Sequence, residues 1–325
     1  MHLRLLPLAL ALCAGAAQAD LLKDAQWQAW LDAGKTTELG RAAQARAKVQ
    51  PDDDQAAVAL AMAAVDDNDA ARLEASLPAL QACADKRPQA ICSYALGRAY
   101  GQQAMTASVF KMPGLASKTK EQFVKAVAQD PLLFEARSAL AQFYLIAPGF
   151  AGGSVAKAKE LAAEARQPEH AKLVRFLVAA QDKDWSGAER ELAGVKAADD
   201  RTLQRELRNG WMRLGAELVE QKSYAKARAV FETVQRDSPQ HAAGPYGLAR
   251  VALETQQPDE ALRLLERCRA LDGADRYPLD HRVGQALIAK GDKAGAKAAL
   301  ERFMQNKRAS PRNLEDAKKL LAGLA

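Results

Sequence analysis

The sequence predicts an all-α protein, a solenoid of stacked helical hairpins finished by a C-terminal capping helix. Three observations carry this. Alanine is spread along the whole chain and β-branched runs are absent, which favours closely packed helices. Apolar residues recur at i, i+3 or i+4 and i+7, the period of one helical face. Pairs of such faces return about every 34 residues, as in a stack of repeats. No Gly/Ser-rich or Pro-rich linker divides the 325 residues, so units that touch only their neighbours account for the length without a second domain.

Residues 1–19 read as a signal peptide. Arg4 precedes an apolar core from Leu5 to Ala14, and Ala17-Gln18-Ala19 forms a small-residue cleavage site before Asp20. The apolar run is too short to cross a bilayer. Cys13 raises a lipoprotein alternative, but Leu12 stands where a lipobox needs a small residue. The expectation is an exported chain cleaved after Ala19. The alanine-rich signal is similar to those of Gram-negative bacteria, so the periplasm is the expected location. No later segment is long and apolar enough for a membrane span.

Residues 20–89 read as degenerate N-terminal repeats. Trp27, Trp30 and Pro51 suggest one helix pair; Ala59, Met62, Ala71 and Ala75 suggest another. Cys83 sits near a helix end and Cys92 just inside the next helix, with Pro88 forcing a turn between them. In an oxidising compartment this pair reads as a disulfide, stabilising by about 2–3 kcal/mol through closure of a short loop. Two buried thiols are the alternative. The spacing of nine is not the C-x-x-C of redox catalysis.

Residues 90–169 hold two repeats. Leu96, Gly97 and Tyr100 mark a first helix; Phe123, Val127 and Pro131 mark a second helix and its stop. Leu140, Ala141 and Tyr144 open the next unit, which Val155, Ala158 and Ala162 close. Residues 170–308 are more regular. Trp185, Ala188, Leu192 and Val195 form a second-helix face, and Trp211, Leu214 and Leu218 a first-helix face with Gly215 beside it for close approach. A helix from near Ser223 carries Ala227, Phe231 and Val234 and stops at Pro239, whose ring clashes with the preceding turn. The pattern returns as Leu248, Ala261 and Leu265, then as Val283 with Gly284, Ala296 and Leu300. Gly291 fits a helix C-cap and Cys268 a small core slot. Residues 309–325 read as a capping helix, with Ser310 as N-cap and Pro311 in the first turn.

Trp211, Leu214, Gly215, Tyr224, Ala227, Phe231 and Pro239 together form W-x2-L-G, Y-x2-A, F and P within one window. This resembles the tetratricopeptide repeat (TPR), in a chain of six or seven copies. The resemblance implies a right-handed superhelix, and a docking surface rather than an enzyme. It also implies a concave groove lined by the first helices. Offsets from the Leu-Gly pair place Tyr94, Arg98, Gln102, Gln142, Met212, Tyr246, Arg250, His281 and Gln285 there. Tyrosine and arginine are good contact anchors. TPRs that clamp a terminal carboxylate use Lys and Asn on these faces; Arg98 and Arg250 supply charge here, without the Asn partners.

Two neighbouring repeats depart from the pattern. Leu96 to Pro131 is 35 residues against 25 for Leu214 to Pro239, so ten are extra, around Met105 to Leu115. Leu140 to Ala158 is 18 against 13 for Leu214 to Ala227, so five are extra, within 146–153. Insertions at one join of adjacent repeats emerge on one edge, so the two loops should touch. Phe110, Lys111, Met112, Phe150, Gly152, Gly153 and Ser154 are the candidate binding residues there. The alternative is that the loops bury each other. For Gly149 to Ser154, an amide nest for a small anion competes with a plain glycine turn capped by Ser154.

Catalytic and cofactor motifs are missing from the sequence. No H-E-x-x-H, G-x-S-x-G, C-x-x-C-H or P-loop ending occurs, so no cofactor, metal or catalytic residue is expected. The net charge of +6 is interspersed, as in Glu189-Arg190-Glu191, without the basic stripe that nucleic acid requires. The expected function is a non-catalytic periplasmic scaffold binding a protein or peptide in its groove. The alternatives are an architectural subunit of an envelope complex and a binder of a small anionic or glycan ligand at the loops.

Overall fold

The structure is a computed structural model that describes residues 20–86, 89–306 and 308–324. Residues 1–19, read from sequence as a signal peptide and including Cys13, and Pro88, expected to force a turn, lie outside them. Seventeen α-helices and two short 3-10 turns make up the described residues, with no named β-strand among them. The helices form eight consecutive hairpins and a final single helix, one or two hairpins more than the sequence suggested. The front half supplies the difference, because its short α1 (Ala25–Ala33) and its alanine-rich α3 (Asp54–Asp66) lack the repeat's large marker residues.

Helix starts follow capping chemistry. Asp24, Asp53, Asp184, Asp200 and Asp292 each accept hydrogen bonds from amides of the first turn they precede. Ser154 and Ser310 cap α8 (Val155–Ala163) and α17 (Pro311–Ala322), as expected. Gly291 closes α15 (Leu279–Lys290) at φ +80°, a conformation that glycine adopts cheaply.

The hairpins are held by one repeated contact. A Cβ built on Gly97 would stand 2.5 Å from the Phe123 ring, and one on Gly284 would stand 2.6 Å from Leu300. Gly215 and Gly247 both press on Phe231, which is fully buried between consecutive first helices. The missing side chains let helix axes approach until one large residue fills the gap. Cys268 is buried, as expected of a core position.

Cys83 of α4 (Ala70–Lys86) and Cys92 of α5 (Ala90–Thr106) are joined by a disulfide with a Cα–Cα distance of 5.7 Å. It ties the second hairpin to the third.

Four hairpins share a tight join of three residues whose middle member is left-handed: Asn68, Lys183, Lys222 and Gln256. The two enlarged repeats do not use it. Between α5 and α6 (Met112–Gln129) the connection is only 107–111, because most of the extra residues lengthen the two helices. The Met112-Pro113-Gly114 stretch expected in a loop is therefore the first turn of α6, where proline is welcome. Between α7 (Phe134–Ile146) and α8 the join is 147–154, containing a 3-10 turn at Gly149–Ala151. That turn packs on α6, and Lys120 of α6 lies against Gly152. The inserts thus meet through α6.

The stack is not open, as a capped solenoid was expected to be. Its ends meet. Arg276, in the turn before α15, donates to the Leu31 carbonyl of α1 at 2.9 Å and lies 3.6 Å from Asp66 of α3. Arg308, before α17, pairs with Asp67 at 2.8 Å and donates to Thr36. Arg205 of α11 (Arg201–Glu220) pairs with Asp32 at 2.6 Å. Eight hairpins complete a superhelical turn, and charged side chains bridge the seam.

Candidate ligand-binding cavity

The concave side of the turn holds an open cavity of about 650 Å³. Its wall is formed by the first helices α1, α3, α5, α7 and α11 and by the second helix α6, with Arg276 from across the seam. Both inserts reach it, through Met105 and Met112 on one side and Ile146, Ala147, Pro148 and Ala151 on the other. The groove and the inserted segments, read from sequence as two surfaces, share one cavity.

Its polar floor is an ion-pair network. Arg205 bonds Asp32, Glu135 at 2.9 Å and Glu206 at 3.1 Å. Burial opposes its charge, but Glu206, Glu135 and Asp32 outweigh burial and hold the guanidinium firmly protonated. Arg98 donates to the Tyr94 hydroxyl at 3.0 Å and lies 3.6 Å from Asp66. Tyr94, then Asp66 against the cost of burial, keeps Arg98 charged; burial in turn raises the Tyr94 phenol. Three carboxylates, Asp66, Glu135 and Glu206, therefore face three guanidiniums, Arg98, Arg205 and Arg276. The floor is close to neutral and its charges are already paired. The exposed side chains of Gln142, whose Nε2 donates to Ser138 Oγ at 3.1 Å, and Asn209 add amides that can meet a ligand's backbone. Above the floor lie Met62, Met105, Met112, Phe143 and Ile146, an adaptable apolar lining.

Of the groove positions drawn from the sequence, the structure brings Tyr94, Arg98, Gln102 and Gln142 into this cavity. It does not bring in the others. Met212 packs half-buried on the C-terminal core, and Tyr246 is buried and stacked on Tyr277 at 4.4 Å. Arg250 reaches Glu220 at 3.6 Å. His281 is buried beneath α17, its Nε2 2.7 Å from Asp316, and Gln285 donates to the same carboxylate at 3.2 Å. The last helix fills that stretch of the groove.

Of the insert residues, Met112 lines the cavity, while Phe110 and Lys111 line a neighbouring hollow with Asn68 and Glu74. Phe150, Gly152, Gly153 and Ser154 line neither. The anion nest is not available. The amides of Ala151, Gly152, Gly153 and Ser154 donate to the carbonyls of Pro148, Gly149, Pro148 and Tyr144. Gly152 has φ +96°, and a Cβ on Gly153 would fall on the Ala147 carbonyl oxygen, so this is a compact glycine turn.

The wall residues missed from sequence are Asp66, Glu135, Arg205, Asn209 and Arg276, with Leu21 at the N-terminal edge. Arg205 and Asn209 had a signal. They lie i, i+4 on a helix that starts thirteen residues before Leu214, where α13 (Ala243–Glu254) starts five before Leu248.

The comparisons agree with this geometry. A tetratricopeptide repeat model matches residues 218–279. No curated protein matches the sequence. Among solved structures, yeast Tom70 is similar at 14% identity and a TM-score of 0.59, over 93% of this chain and 64% of that one. This chain thus spans less than two thirds of Tom70's length. A tetratricopeptide repeat protein from Parabacteroides merdae aligns at 16% identity over 79% of this chain and 93% of its own, with a TM-score of 0.49. Pseudomonas aeruginosa pilF aligns at 18% over 69% and 97%, with a TM-score of 0.42. At such identities the likeness is one of fold. The fold defines an all-α helical-repeat solenoid. The stacked hairpins share the tetratricopeptide-repeat fold, and the family match itself is confined to residues 218–279. Among the described residues, no helix is long and apolar enough to cross a membrane.

Proposed function

We propose that this chain is a non-catalytic, exported scaffold that holds a short segment of a protein partner in this cavity. One observation carries the reading. First helices from five hairpins and both inserted segments converge on a single cavity of about 650 Å³. That volume lies within the range of built ligand sites. The pairing on the floor speaks for a segment without strong net charge, since a free carboxylate would have to displace Asp66, Glu135 or Glu206 from its arginine. Gln142 and Asn209 suit a peptide backbone, and the methionines suit varied apolar side chains. Export and a periplasmic location belong to this proposal through the signal at residues 1–19.

The test is capture from envelope extract by the purified protein beside a Gln142→Trp/Asn209→Trp variant. Both positions are exposed within the cavity, so indoles there fill it without touching the core. A partner lost by the variant, with helical content unchanged, supports cavity binding. A partner retained by both moves the contact to the outer surface and favours the architectural alternative.

A further inference from the structure

We propose that the edge built by the two inserts, at the rim of the cavity where Met105 and Ile146 also lie, docks on an anionic lipid bilayer, a role beyond the cavity reading. Eight large hydrophobic side chains are exposed in the described residues, and seven of them lie between residues 105 and 155. Phe110 is 96% exposed, Met105 82%, Phe150 79%, Val109 78% and Ile146 73%. They sit on the two enlarged joins and the helix ends beside them, which α6 brings together.

Lysines outnumber the carboxylates around them, which are Glu74, Glu121 and Glu160 at the borders. Segments 103–120 and 143–159 contain Lys111, Lys118, Lys120, Lys157 and Lys159 and no acidic residue, in a chain whose charges otherwise alternate. Lys118 and Lys157 lie over the rings of Tyr100 and Tyr144 at 5.3 and 5.8 Å, which anchors them at this edge. Protein interfaces are depleted in lysine at their centres. Apolar tips interleaved with lysines instead match a bilayer surface, where the tips enter the headgroup boundary and the ammonium groups meet lipid phosphates.

The experiment is co-sedimentation of the purified protein with vesicles of phosphatidylglycerol mixed with phosphatidylcholine, and with phosphatidylcholine alone. The expected result is binding to the mixed vesicles only, released by about 0.5 M salt. Phe110→Ser/Phe150→Ser and Lys111→Glu/Lys118→Glu should each weaken it about tenfold, with helical content unchanged. Gln142→Trp/Asn209→Trp should bind as well as the parent, which separates this edge from the cavity. No sedimentation with anionic vesicles, equal sedimentation with neutral ones, or undiminished binding by both edge variants would overturn the proposal. So would loss of binding in the cavity variant alone.

Discussion

At the residue scale, what decides stability is how little space surrounds a few small positions. Gly215 faces the Phe231 ring, so Gly215→Ala should destabilise by about 1–3 kcal/mol, read from urea denaturation. Gly114 has nothing within 4 Å, and there the same change should stabilise by about 0.5–1 kcal/mol. Histidines set a second expectation. Burial, then the Arg137 charge, pushes His170 down to about 4; burial, then Arg208 and Arg276, pushes His241 down to about 4. The unfolded chain takes up these protons near pH 6.5 while the folded one refuses them. The stability they contribute is thus complete above pH 6.5 and is lost as pH falls towards 4. A melting-temperature series from pH 8 to pH 4 should show this decline, and His170→Leu should make it shallower.

At the element scale, the disulfide and the last helix hold pieces that repeat packing alone leaves loose. Reducing Cys83–Cys92 should cost about 2–3 kcal/mol, seen as a lower melting temperature in reductant. Deleting α17 should bare Leu300 and Phe303, now buried, and produce aggregation visible by light scattering. Hairpins were legible because each carries its own packing code. Leu-Gly against Phe fixes where a first helix meets its second, as Gly97–Phe123 and Gly215–Phe231 demonstrate. Helix length carried no such code. The extra residues beside Met112 became helix where a loop was expected, and the early start of α11 hid Arg205 and Asn209. The cavity was half legible for the same reason: Tyr94, Arg98, Gln102 and Gln142 follow from the Leu-Gly register.

At the scale of the whole molecule, the seam was beyond reach of the sequence. Arg276 and Leu31 are 245 residues apart, and a period of 34 says nothing about whether the superhelix returns to its start. The seam is polar. Arg276→Glu/Arg308→Glu places like charges opposite Asp66 and Asp67 and should open it, increasing the radius of gyration in small-angle scattering while helical content stays constant. Unchanged dimensions would mean that hairpin packing alone sets the curvature.

An ordinary solenoid behaves like a rope. Its outermost units have one neighbour each and fray first, so protection against amide exchange grades from the tips towards the middle. Joining the tips turns the rope into a hoop. Side chains from either extreme reach the other, through Arg276, Arg308 and Arg205. Hydrogen exchange in this chain should therefore lack the usual gradient, with α1 to α3 protected nearly as well as the central hairpins. Loosening any one unit would then be felt all the way around.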